Sequence, residues 1–474
     1  MKQLFLQFGD SNFIRAFFDP IVHELNKKEQ AGSVIVIQPH RSGRVKELQN
    51  QSNLYTLVLR GNSKTGRIDR KEIINCISES INPYVDYKSF SELYKRDDLR
   101  FIISDDKSDK CHAEPNEQIT AKPPENIAGK IALFLFKRFK HFKGNSDKGM
   151  ILLPCEDTGN NGELLKNSVI KTAKYWCLGE GFLKWLNTSC FFLSTVCDRM
   201  VTGFPFGEAE RIKREMGYSD RLILEAEPFY RWVIKGPKKL AKEIPFIKPY
   251  LNVLYTDDIS YYYEIREKIY KETLTFVYLL KTLLNARNFS EICNNRIYSK
   301  FIKNMVFHEI LPSVKEVGEK HIKDSENIIE RLNNPYIGDG KSFVLINGSI
   351  SPARDFLETV RQYMANTGRA PVHLIFSFAL RIYFCSKDKY VKDLASKDVF
   401  VRFLNKMWKV AGKSTKGIQL MSRKIIDSKL VWEHEDTKDI KVIGRLLQLF
   451  IINLTRFGPG KSIERIILRK KGRE

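Results

Sequence analysis

The sequence lacks several features that would place it in specialised classes. No window approaches the roughly 20 consecutive apolar residues a helix needs to cross a bilayer, so a membrane partner is not expected. The apolar run in residues 1–8 is too short for the core of a secretory leader. The eight cysteines (Cys76, Cys111, Cys155, Cys177, Cys190, Cys197, Cys293 and Cys385) form no CxxC pair and no zinc-type spacing. That pattern argues against a metal site and against a disulfide framework, and reduced thiols in a cytoplasm fit it best. Histidine is absent between His141 and His308. There is no internal repeat and no extended low-complexity tract.

Acidic residues are also scarce. The chain has 56 Asp and Glu against 79 Lys and Arg, a formal charge of +23. Such a balance favours polyanions in general. The basic residues, however, are spread along the whole chain, and only the tail at 469–473 reads as a patch. A solvated basic surface is the simpler reading, and nucleic acid is not expected as a partner. A length of 474 residues exceeds one ordinary core and implies two domains. With 43% hydrophobic and 28% charged residues, the chain can bury a sizeable interior.

The hydrophobic pattern starts with a buried strand at residues 4–8. A turn follows at Gly9-Asp10-Ser11-Asn12, then a helix at 13–26 with Ile14, Phe17, Phe18, Ile21, Val22 and Leu25 at helical spacing. A second strand at 33–37 completes a βαβ opening with a parallel sheet. Further strands are expected at 55–59, 100–104, 150–154, 191–196 and 251–254. Residues 106–126 read as an exposed loop, 160–186 as an amphipathic helix, and the basic stretch 231–248 as a surface excursion. Beyond about residue 260 strand signals fade. The expected architecture is α/β: a Rossmann-like N-terminal domain at 1–260 and a mostly α-helical C-terminal domain at 261–474.

A strand, a glycine turn and a helix present free amide groups and the positive helix end to a pyrophosphate. Here Gly9, Ser11, Asn12, Phe13 and Arg15 occupy that turn. Only one glycine stands where a GxG is expected. Ser11 adds a hydroxyl that either crowds an anion or bonds to it, and Asp10 adds negative charge. The second strand ends in Gln38-Pro39-His40-Arg41, followed by Arg44, with no acid for ribose hydroxyls. That leaves NAD and NADP both open.

Several blocks carry a resemblance in the right order. They are Gln7-Phe8-Gly9-Asp10-Ser11-Asn12-Phe13-Ile14-Arg15-Ala16-Phe17, the segments at 54–61 and 100–104, Pro154-Cys155-Glu156 with Asn161-Gly162, and 194–205. Shorter matches fall at 233–238, 251–254, 334–337 and 347–348. Together they resemble the tagaturonate reductases (altronate oxidoreductases) of the long-chain mannitol dehydrogenase family, of which this chain looks like a divergent member. The resemblance implies hydride transfer between a nicotinamide cofactor, NAD or NADP, and a keto sugar acid in hexuronate metabolism, without a metal. It also implies a cofactor-side loop at Asp105 and a substrate contact at Ser194, while Glu156, after a strand at the sheet edge, reads either as a substrate contact or as a loop-orienting carboxylate.

The resemblance further implies a catalytic Lys, Asn and His at i, i+5 and i+8, within an arc of roughly 140° of one helix. At those positions this sequence has Arg266, Lys271 and Leu274. Arginine does not cycle a proton, and leucine offers no hydrogen bond. Lys271 retains an ammonium whose pKa burial can lower, and Tyr270 is a second possible proton donor. The loop 105–110, Gly338-Asp339 and Ser351 also depart from the family pattern. Three readings therefore stand: a reductase with a rearranged acid/base, a catalytically inactive homologue, and a basic binding protein. Blander readings apply to His23, as a packing or surface residue, and to Asp198-Arg199, as an internal ion pair.

Overall fold

The structure, a computed structural model, describes residues 3–63, 66–106, 117–314, 316–337, 354–387, 399–412, 414–428 and 437–469. The chain divides into two compact units, Met1–Tyr263 and Glu264–Glu474. The segments 107–110, 338–339, 347–348 and 351, the Cys111 thiol and residues 470–473 of the basic tail lie outside the described residues.

The first unit opens with β1 (Gln3–Phe8), α1 (Asn12–Glu29) and β2 (Gly32–Ile37). It continues with β3 (Tyr55–Ser63), β4 (Gly66–Ile74), β5 (Ile77–Ile81), β6 (Leu99–Ser104), β7 (Ile151–Pro154) and β8 (Phe191–Phe192). Then come β9 (Thr195–Asp198), β10 (Val201–Gly203), β11 (Leu224–Ala226), β12 (Arg231–Lys235) and β13 (Val253–Thr256). The main sheet runs β5-β2-β1-β6-β7-β8, and all its pairings are parallel. The chain reverses direction across the sheet between β1 and β6, the topological switch point where such folds bind ligands.

Both faces of this sheet are covered, so its strands are apolar throughout rather than alternating. Side chains still part by a period of two. Phe5, Val34, Val36, Phe101 and Ile103 pack on the α1 side with Phe17, Phe18 and Trp232. Leu6, Phe8, Ile35, Ile37 and Ile102 pack on the opposite side with Ile131 and Leu135 of the helix Ile127–His141.

Three sequence expectations are corrected. The stretch 231–248 is no surface excursion throughout: β12 is the middle strand of the sheet β13-β12-β9, and Trp232, Val233 and Ile234 are fully buried. Its basic residues misled because Arg231 and Lys235 flank an apolar centre. The expected helix at 160–186 is two helices, Asn161–Tyr175 and Glu180–Ser189, broken where Cys177 and Gly179 take positive φ. The strand expected at 191–196 is split between two sheets as β8 and β9.

Arg199 is also not the ion-paired residue expected. It is buried, and its guanidinium nitrogens bond to the Glu227 carbonyl at 3.0 and 2.9 Å and to the Ala16 carbonyl at 2.7 Å. The reason lies in α1. Pro20 sits inside that helix and has no N–H, which strips Ala16 of its helical donor. Arg199 supplies the missing hydrogen bond, at a desolvation cost that lowers its pKa to about 10.

Among the described residues, the second unit is built from helices. The turn Ile265–Lys271 is π-helical and runs into the α-helix Glu272–Leu284. A second π-helical turn, Val306–Ile310, follows the helix Arg296–Met305. The buried helix Val372–Phe384 and the long element Thr437–Arg469 complete its centre.

Candidate active site

The candidate site of the first unit lies at the carboxyl ends of β1, β6 and β7. Ser11 is the N-cap of α1, and its Oγ accepts from the amides of Phe13 at 3.1 Å and Ile14 at 3.3 Å. The same hydroxyl donates to the Asp105 carboxylate. Asp10 does not face the turn's interior. Its carboxylate accepts the Arg44 amide, which also holds the loop after β2. Gly43 makes that approach possible, because a Cβ there would lie 2.3 Å from Asp10 Oδ2. Arg15 is buried and donates to Asn12 Oδ1 at 2.9 Å and to the Asp10 and Leu222 carbonyls at 3.2 Å each. It holds the turn's shape and offers its charge to the core side.

Burial pushes the Glu156 carboxyl up to about 7. Its Oε1 accepts the Asp106 amide at 3.3 Å, and its Oε2 is a buried oxygen without a partner. Ser194 accepts the Gly162 amide at 3.2 Å, at the start of the helix Asn161–Tyr175. His40 contacts the Asp106 carboxylate at 3.1 Å, and that hydrogen bond raises its pKa. Gln38 gives its amide to the carbonyls of His40 and Arg41. The side chains of Arg41 and Arg44 are exposed.

These residues pass the test for a dinucleotide site. An 18-residue helix points its positive end into the switch point. The two acids at that helix end are both engaged, Asp10 by the Arg44 amide and Asp105 by the Ser11 hydroxyl. At Gly9 an added Cβ would press on Asp105 at 3.3 Å. Glycine there avoids a tight contact with the Asp105 side chain.

The second unit carries a candidate of its own, the π-helical turn Ile265–Lys271. In an α-helix Arg266 and Lys271, five residues apart, would lie roughly 140° around the axis. A turn closed by i→i+5 bonds stacks such residues instead, and π turns concentrate at functional positions. Lys271 Nζ pairs with the largely buried Glu267 carboxylate at 2.6 Å. Glu272 is held by Arg381 and by Ser377 Oγ, the latter at 2.7 Å. Lys268 is held by Glu264 and Gln362 at 2.7 Å each. Leu274 is buried in the core.

Models of the mannitol dehydrogenase Rossmann domain and of the mannitol dehydrogenase C-terminal domain match residues 3–248 and 274–444. The chain belongs to the mannitol dehydrogenase family. Within it, the chain is 30% identical over 471 residues to the altronate oxidoreductase of Bacillus subtilis (strain 168), covering 98% of this chain and 95% of that one. It is 32% identical to the altronate oxidoreductase of Yersinia enterocolitica, covering 80% and 79% of the two chains. Among solved structures, Pseudomonas fluorescens mannitol 2-dehydrogenase in complex with NAD and D-mannitol shares the fold. The TM-score is 0.76 at 15% identity, over 99% of this chain and 95% of that one.

Asn161, in the family-like segment, has a structural role. Asn161 is buried and donates to the carbonyls of Pro154, Glu156 and Thr195 while accepting the Thr195 amide at 2.8 Å. It ties β7, β9 and the Glu156 loop together. Nothing in its local sequence signals this, because its partners come from three separate segments.

His23 is a packing residue in the first unit: it is buried, with Nδ1 2.9 Å from Asn75 Oδ1. Its carboxylate neighbours Glu24 and Glu72 are bridged by the Lys27 ammonium at 2.6 and 3.1 Å. A cation already sits where a metal would. The seven described cysteines are free thiols. No helix of the described residues is long and apolar enough to cross a membrane.

Proposed function

We propose that this chain is a nicotinamide-dependent oxidoreductase of keto sugar acids, interconverting altronate and its keto acid as its relatives' name indicates. The observation that carries the reading is 30% identity to an altronate oxidoreductase across nearly the whole of both chains. The dinucleotide-type switch point in the first unit supports it. The catalytically inactive alternative, raised by the substituted motif, gains no support from the fold or the relatives.

The bound nicotinamide supplies or accepts the hydride. The chain's own residues do the remaining work. The N-terminus of α1, with Gly9, Ser11, Asn12 and Phe13, holds the pyrophosphate. Arg15 and Asp105 fix the turn around it. The exposed Arg41 and Arg44 stand at the end of β2, where they suit a 2′-phosphate at least as well as a hydroxyl.

Lys271 Nζ donates the proton to the developing alkoxide and takes it back in the oxidative direction. Glu267 holds that ammonium in place, and Arg266 adds a fixed positive charge toward the substrate carboxylate. Ser194 and Glu156 are assigned to the substrate side. A cytoplasmic location fits the reduced thiols.

Titration with NADH and with NADPH, read by nicotinamide fluorescence, tests the reading, followed by turnover of keto sugar acids. Saturable binding of one cofactor with turnover is expected. No saturation up to roughly millimolar cofactor, a very weak affinity, would sink it.

A further inference from the structure

The second unit contains a groove of about 700 Å³ along the helix Arg296–Met305 and the π-helical turn after it. Arg296, Lys300 and Lys303 line it, with His308, Asn304 and Phe307. The three cations fall at i, i+4 and i+7, one face of the helix. Like charges at these spacings destabilise a helix unless something of opposite sign meets them. No acidic side chain lines the groove, and among the described residues none of the three cations has an ion pair. Elsewhere the chain does pair its cations, as at Lys271 with Glu267 and Lys268 with Glu264.

The polar part of the groove is anchored from behind. Asn304 Nδ2 lies 3.4 Å from Nε2 of the buried His373, whose Nδ1 is 2.6 Å from the buried Glu309 carboxylate. Glu309 is fixed in turn by the amides of His373 and Leu374 at 2.9 and 2.8 Å. Such backing holds a lining side chain in one orientation before any ligand arrives. Phe307 adds a half-buried ring beside the cations.

We infer that this groove binds a small phosphorylated molecule, two or more negative charges meeting Arg296, Lys300 and Lys303. The guanidinium fork and two ammonium groups match phosphate oxygens. The volume suits a small molecule rather than a polymer track. The inference does not rest on the proposed oxidoreductase activity.

The test is calorimetric titration of the full chain with inorganic pyrophosphate, with NADH at saturation so that the first unit's phosphate site is masked. The wild type is compared with the double variant Lys300→Ala/Lys303→Ala and with the charge-matched control Lys409→Ala/Lys416→Ala, both at exposed positions. One site per chain is expected, weakened about tenfold or more in the first variant and unchanged in the control.

Absence of binding, or equal weakening in both variants, would overturn the inference in favour of a diffuse basic surface. So would a single-stranded RNA oligonucleotide that binds more tightly than pyrophosphate and is lost in the same double variant. Unaltered melting temperature in both variants keeps misfolding out of the comparison.

Discussion

The turn after β1 and the π-helical turn at Ile265–Lys271 hold their polar groups in different ways. Around β1 the side chains are engaged largely by main chain: Ser11 by two amides, Asp10 by the Arg44 amide, Gln38 by two carbonyls. In the π turn the charges pair with other side chains: Lys271 with Glu267, Lys268 with Glu264, and Glu272 with Arg381. Main-chain partners fix position and are indifferent to the wider sequence. Side-chain pairs can be exchanged together, provided charge stays balanced. The first region therefore gives a readable motif, and the second is a set of paired charges with an ammonium at the turn.

The largest expected effect tests whether the ammonium of the π turn carries chemistry. Lys271→Ala should lower kcat for keto-acid reduction by about 10²–10⁴-fold, the range for loss of a general acid. The melting temperature should fall as well, because the largely buried Glu267 carboxylate loses its ammonium partner, so kcat is compared at a temperature where both proteins are folded. Arg266→Ala should mainly raise KM. Equal kcat in wild type and Lys271→Ala would remove Lys271 from the mechanism.

The next effect concerns the rigid side of the comparison. Arg199→Met should destabilise the first unit by roughly 3 kcal/mol, because it orphans the buried Ala16 and Glu227 carbonyls. In a Pro20→Ala background the loss should be smaller, since residue 20 then offers Ala16 an amide. Denaturant unfolding of the four proteins in the cycle measures this coupling. Strict additivity would refute the pairing of Arg199 with the proline.

Glu156 sharpens the comparison through pH. Its folded carboxyl titrates at about 7, above the 4.5 of a free glutamate, because burial disfavours the charge. The folded state therefore holds the proton more tightly. The stability Glu156 contributes is fully present below about pH 4.5 and is lost as pH rises through 7. Glu156→Gln should accordingly raise the melting temperature relative to wild type at pH 8, with the gain shrinking towards pH 5. A gain independent of pH would mean that Glu156 does not titrate in this window.

The smallest effect is at Ser11. Ser11→Ala should cost about 1 kcal/mol of stability as a lost N-cap. It should also weaken NADH binding, by freeing the Asp105 carboxylate toward the pyrophosphate. Thermal melts and cofactor titration separate the two consequences.

Much of the fold was legible in the sequence. The apolar runs at β1, β2, β6 and β7, the glycine turn and the helical register of α1 specify a parallel sheet without reference to anything distant. The hairpin of β3 and β4 was half visible: β3 is apolar where it is buried, while β4 is mostly exposed and carries no alternating stripe. β12 was missed because its flanking cations outweighed three buried residues in a composition reading. The basic groove was invisible as a cluster, since Arg296, Lys300 and Lys303 are three among many cations until the helix and its neighbours define a cavity.

What the sequence determined by itself was periodicity and turn chemistry. Those fix which segments are strand or helix, and they place the phosphate-binding turn at Gly9. Only the tertiary structure decided how groups far apart in the chain satisfy one another. Arg199 answers a carbonyl freed by Pro20, Asn161 joins three separate segments, and Asp10 turns onto the Arg44 amide. The physical reason is that a buried donor or acceptor must be paired. Its partner is chosen by proximity in the fold, which spacing along the chain does not record.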